Sequence, residues 1–163
     1  MDFSKLTQNN WIAVGGGLAA LVASILPWYS FDFGFDVPGV DTSVSAWGSG
    51  FFAWSGCLLA LAAGVLIGLK AMGINEVKVG SLATEQFAMI LAGLGFIFVL
   101  LRWLTETSFA SFGLYLGLIA TAATAAGALL SGKDIGVGIP TADNFKSEGS
   151  GGGDTPSGGT STF

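Results

Sequence analysis

Gly56-Cys57-Leu58-Leu59-Ala60-Leu61-Ala62-Ala63-Gly64-Val65-Leu66-Ile67-Gly68 lies inside the apolar run from Phe51 to Leu69. Gly56, Ala60, Gly64 and Gly68 recur every four residues. On a helix that spacing gathers them on one narrow stripe. A stripe without side chains lets a second backbone approach closely. Helices associate this way in lipid, where no hydrophobic effect drives them together. The opposite face, with Leu58, Leu61, Leu66 and Leu69, is left for lipid or for bulkier neighbours.

Three further runs repeat the device. Trp11–Trp28, Phe87–Trp103 and Phe112–Leu130 join Phe51–Leu69 to make four stretches long enough to span. Each holds about 17–19 residues, or roughly 26–29 Å of helix, against a hydrocarbon core of about 30 Å. Arg102, at the end of the third, is the one charge within them. In the first run Gly15, Ala19 and Ala23 form a stripe, with Gly16, Ala20 and Ser24 beside it. Ala88 and Ala92 mark the third, and Gly113, Gly117, Thr121 and Ala125 the fourth. Trp11, Trp28 and Trp103 at run ends, with Trp47 and Trp54 about the start of the second, read as an interfacial aromatic belt.

Composition agrees. The 163 residues are 52% hydrophobic and 10% charged, with a mean hydropathy of +0.70. A soluble domain carries about 25% charged residues. The formal charge of −5 gives no basic face for nucleic acid. The single cysteine, Cys57, reads as a small packing residue.

The expected architecture is an all-α membrane protein. It is a four-transmembrane-helix antiparallel bundle with helices at about 11–28, 51–70, 84–104 and 110–131, and a short extracytoplasmic β-hairpin between the first two. Residues 1–131 form this membrane domain. Residues 132–163, rich in glycine and serine, are expected to be a disordered cytoplasmic tail. Pro27 closes the first helix. A signal-peptide reading of the first run, with Val22-Ala23-Ser24 as cleavage site, is weaker. The run continues to an aromatic end and carries its own small-residue stripe. Five cations (Lys5, Lys70, Lys78, Lys133 and Lys146) fall on one side of a four-span topology and only Arg102 on the other. The positive-inside rule then places both termini in the cytoplasm of a multi-pass plasma-membrane protein.

Between the first two helices, Phe31-Asp32-Phe33-Gly34-Phe35-Asp36-Val37 alternates strictly, and Pro38-Gly39 signals a turn. This predicts a hairpin of about 30–37 with 40–46. Its phenylalanine face would cover helix ends, and Asp32, Asp36 and Asp41 would face outward as a partner surface. A calcium reading of these aspartates lacks the close ligand spacing of acidic loops. Ser81 or Thr84 is expected to cap the third helix, and Arg102 to pair with Glu106 if that helix runs past Trp103.

Leu26-Pro27-Trp28-Tyr29, together with Ser45-Ala46-Trp47 and Gly50-Phe51-Phe52-Ala53-Trp54, resembles small four-helix membrane proteins of unknown function common in high-GC Gram-positive bacteria. The resemblance covers about residues 11–130 and implies the fold but no catalytic residue. The architecture also looks loosely like claudins, without the cysteine pair of their loop.

The chemistry points away from catalysis. There is no histidine and no second cysteine, hence no imidazole base and no thiolate metal site. No catalytic, metal or cofactor-binding residue is expected. The glycines follow no strand, so they make no phosphate loop. The expected function is a non-catalytic membrane scaffold or accessory subunit. Gly15, Ala19, Gly56, Ala60, Gly64, Gly68, Gly113 and Gly117 would be its packing residues. Its partners would be membrane lipid and other integral subunits or further copies of itself, with no nucleic acid. The alternative is a small-solute channel or transporter formed by the bundle or its homo-oligomer.

Overall fold

The computed structural model describes residue 4 and residues 6–31, 42–74 and 83–139. Four helices and two short strands follow in chain order. They are α1 (Gln8–Ile25), β1 (Pro27–Ser30), β2 (Ser43–Ser45), α2 (Phe51–Ala71), α3 (Thr84–Thr105) and α4 (Phe112–Asp134). Three of the helices, α2, α3 and α4, are long and apolar enough to cross a membrane. The first turn of α1 is Gln8-Asn9-Asn10, so its apolar stretch is shorter.

The helix ends follow local chemistry. Thr7 caps α1, its side chain accepting from the Asn10 backbone N–H at 3.4 Å. α1 therefore begins three residues before Trp11. It also ends three residues before Trp28, because Leu26, which precedes Pro27, is extended. Ala83 occupies the capping position of α3, where Ser81 or Thr84 was expected. The Gln86 side chain accepts from the Ala83 N–H at 3.3 Å and takes over the capping role from the other direction. At the other termini, α2 and α4 close identically. Gly73 and Gly136 adopt φ of 71° and 70°. In α2, Gly73 N–H donates to Lys70 and Ile74 N–H to Leu69. In α4, Gly136 N–H donates to Lys133 and Val137 N–H to Gly132. Both are Schellman closures, which require a left-handed residue. The second carries α4 to Asp134, past the expected end at 131.

The strands pair antiparallel, Tyr29 with Val44 and Ser30 with Ser43, with a bulge between Pro27 and Tyr29. The ladder continues as Phe31 N–H donates to Thr42. Pairing therefore starts nearer the helix than the expected residue 30. Residues 32–41, which include Asp32, Asp36, Asp41 and the expected turn, lie outside the described residues. So does the expected tail beyond residue 139. β1 is also held on its other edge, where Ser30 N–H donates to Phe109 and Ser111 N–H donates to Trp28.

The four helices pack in a ring in chain order, each antiparallel to the next. Gly64 of α2 meets Ala13 and Gly17 of α1. Gly95 of α3 meets Gly56 of α2, Gly132 of α4 meets Met89 of α3, and Gly127 of α4 meets Ala13 of α1. The interior is made of small residues such as Ala13, Ala20, Ala60, Ala63, Ala92 and Ala128, with a few larger ones, chiefly Trp28, Leu114 and Val99. Leu18, Val22, Ile97, Leu101 and Ile119 are exposed. Small residues inside and large apolar ones outside suit close helix approach within and lipid without.

Candidate functional site

One end of the ring gathers the start of α1, the end of α2, the start of α3 and the end of α4. Polar side chains converge there. Asn9 donates to Asp134 at 2.7 Å, and the buried Ser131 hydroxyl donates to Asn10 Oδ1 at 2.6 Å. These two bonds tie α1 to α4. Lys70 pairs with Glu85 Oε1 and ties α2 to α3. Each charge sits at a helix end that favours it. Lys70 is in the last turn of α2, where carbonyls point outward, and Glu85 is in the first turn of α3, where N–H groups do.

Between these groups lies a cavity of about 200 Å³. Thr7, Asn10, Lys70, Thr84, Glu85 and Ser131 give it polar walls, and Ile67 and Ile135 give it apolar ones. Glu85 is 6% exposed. Among the described residues its second carboxylate oxygen, Oε2, is buried and accepts no hydrogen bond. Sequence reading counted Lys70 among the cytoplasmic cations and did not join it to Glu85. Residues 72–83 separate the two elements, and no periodicity spans that gap. Asn10 was passed over because it belongs to the polar lead before the apolar run.

The other end is aromatic. Trp28 is fully buried, where an interfacial anchor was expected. A Cβ on Gly113 would stand 2.5 Å from the Pro27 carbonyl oxygen, and one on Gly117 would stand 2.8 Å from the Trp28 ring. The two glycines thus form a slot for the indole rather than for another helix. The indole N–H donates to the Ala23 carbonyl at 2.8 Å. Trp47 and Trp54 stack at 5.8 Å. α3 runs past Trp103, and Arg102 reaches Glu106 at 3.0 Å. The Arg102 guanidinium also lies 4.9 Å from the centre of the Tyr29 ring.

The other expected packing residues divide between neighbours. A spacing of four advances about 40° around a helix at each step, so the stripe on α2 winds from one partner to another. A Cβ on Gly56 would stand 2.9 Å from the Gly95 carbonyl oxygen of α3. On Gly64 it would stand 2.8 Å from the Ala13 oxygen of α1, and on Gly68 it would stand 3.1 Å from a Val14 methyl. Ala60 is fully buried, and Ala19 packs against the core from its edge. Gly15 differs, because no heavy atom lies within 4 Å of where its Cβ would be. Its neighbours take the contacts, Gly16 against Thr124 and Ala120 of α4 and Gly17 against Ala60 of α2. Three consecutive glycines cover about 200° of a helix, so with neighbours on two sides one of them points outward.

Among the described residues no three histidine, cysteine, aspartate or glutamate side chains gather as a metal-ligand cluster. Apart from Ser131, which bonds across to Asn10, four buried hydroxyls bond within their own helices. Ser24 donates to Leu21, Ser55 to Phe51, Thr121 to Gly117 and Thr124 to Ala120. Comparison with family models, curated proteins and solved structures returned no match.

Proposed function

We propose that this chain is a multi-pass protein of the bacterial plasma membrane, with α1 as a fourth span and both termini cytoplasmic. In this reading it is a non-catalytic scaffold or accessory subunit. The resemblance of its Leu-Pro-Trp-Tyr and aromatic motifs to four-helix membrane proteins of high-GC Gram-positive bacteria agrees with this.

The supporting observation is how the buried hydroxyls are used. Ser24, Ser55, Thr121 and Thr124 each donate to a carbonyl of their own helix. A solute path needs polar groups that exchange partners with the solute. Hydroxyls committed to the preceding turn, between alanine and glycine backbones in contact, serve packing instead. The large apolar side chains on the outside are then the surface offered to lipid and to other integral subunits, which include copies of this chain.

Affinity capture of the tagged full chain from native membranes in mild detergent, followed by mass spectrometry, tests this. The proposal expects integral membrane subunits, or the chain itself, in fixed ratio. A chain that emerges alone and monomeric, and that conducts solutes in liposomes, contradicts it. The polar cavity favours a second reading, a small-solute channel or transporter, because it offers a first binding step. Solute flux in proteoliposomes distinguishes the two.

A further inference from the structure

We infer that a groove between the outward faces of α2 and α3 holds one acyl chain of a membrane phospholipid as a retained ligand. The inference rests on the membrane reading of these helices and is independent of the scaffold role.

The groove starts at the aromatic end and, among the described residues, lies open on its outer side. On α2, Phe51, Trp54, Leu58 and Ala62 recur at spacings of three and four, so they run along one face. Phe98 of α3 forms the facing wall. The walls are almost entirely carbon, and the Ser55 hydroxyl beside them donates to the Phe51 carbonyl. Such a lining suits hydrocarbon rather than water, and both helices are long and apolar enough to cross a membrane. The rings hold the groove open. Trp54 stacks on Trp47 at 5.8 Å, Phe51 meets Trp54 edge-on at 5.3 Å, and Phe52 meets Phe98 edge-on at 5.2 Å. No ring swings across the groove without breaking one of these contacts.

Length and girth identify the occupant. From Phe51 to Ala62 the groove follows α2 for about 16 Å. One leaflet of a hydrocarbon core of about 30 Å is about 15 Å deep. The volume of about 500 Å³ spread over that length gives a section of about 30 Å². A helix with its side chains is about 10–12 Å across, a section of about 80–110 Å², and does not enter. A stable protein interface also needs about 20–30 residues a side, whereas seven line the groove. A hydrocarbon chain one carbon wide, with its neighbours at about 4 Å, fits. Left empty, the walls would forfeit dispersion contacts, a main attraction between surfaces within a bilayer. A chain in the groove meets walls on both sides where an ordinary lipid meets one, and is retained for that reason.

Native mass spectrometry of the full chain, released from dodecyl maltoside micelles after repeated detergent exchange, tests this. One phospholipid per chain is expected to persist. Ala62→Phe places a ring in the inner end of the groove from an exposed position and is expected to lower the lipid-bearing fraction by at least about tenfold. Val22→Phe adds the same ring at an exposed position of α1 and is expected to keep the lipid. If Ala62→Phe does not fold, the unaltered chain still decides. In bilayers of a phosphatidylcholine with a diazirine on one acyl chain, photolabelling is expected to concentrate on residues 51–62 and on Phe98. Resistance of the same chain to carbonate extraction reports the membrane reading separately, so a bare groove in an integral protein is told apart from a chain outside the membrane. An unaltered chain that keeps no phospholipid, as when another part of the chain or a second copy fills the groove, overturns the proposal. So does even labelling of all the outward faces, or a folded Ala62→Phe that keeps the lipid as the unaltered chain does.

Discussion

At Gly64 a single added methyl would press on the Ala13 carbonyl oxygen, whereas at Gly15 it would meet open space. The two positions therefore make a matched pair. Gly64→Leu is expected to destabilise by at least about 1–3 kcal/mol, the usual penalty for overpacking a tight core. Gly15→Leu is expected to melt like the unaltered chain. Thermal melts of both variants in the same detergent check this, and equal losses at the two sites would contradict the packing described here. The periodicity of four was legible in the sequence. Which neighbour each glycine meets was not, because that depends on where the other helices stand around the ring.

Tyr29 gives a second residue-scale test. Its phenol is buried and has no hydrogen-bond partner among the described residues. Burial raises its pKa above the ordinary value of about 10, Arg102 opposing the shift and Glu106 adding to it. A pKa raised in the folded state means a stability contribution present below the unfolded value and lost as pH rises through the folded one. Melting temperature is therefore expected to fall as pH is raised above about 10. Tyr29→Phe is expected to lessen that fall and to leave the neutral-pH value unchanged or higher, since it removes an unpartnered hydroxyl. An identical alkaline fall in both proteins would contradict this.

Among the elements, β1 joins the two halves of the aromatic end. It bonds to β2 on one edge and to residues 109 and 111 on the other, and it delivers Trp28 into the slot of Gly113 and Gly117. Trp28→Ala would empty that slot and remove the indole's hydrogen bond to the Ala23 carbonyl, which keeps the one from Leu26 N–H, at an expected cost of about 3–5 kcal/mol. Chemical denaturation followed by near-ultraviolet circular dichroism measures it, and a loss below about 1 kcal/mol would mean that the indole is not a core residue. The helices themselves were legible, since runs of apolar residues with interrupted ends mark them within a few positions. The role of Trp28 was not. An aromatic at the end of an apolar run reads as an interfacial anchor, and only the turn imposed by Pro27 sends it inward. The ion pair of Lys70 and Glu85 was hidden for a related reason, because pairs formed across a connection leave no period.

In the whole molecule, small residues line the inside and large apolar ones the outside, with a polar cavity at one end and stacked aromatics at the other. Three helices are apolar enough to span. α1, with its polar first turn, packs between α2 and α4. The central claim is that α1 is a fourth span, and the side on which residue 4 lies decides it. Single cysteines at Ser4, Ser43 and Ser157, in a Cys57→Ala background, are probed in intact cells with a membrane-impermeant maleimide. The account predicts that Ser43 labels from outside, while Ser4 and Ser157 label only after permeabilisation. Labelling of Ser4 on the same side as Ser43 would mean that α1 does not cross, and would contradict it.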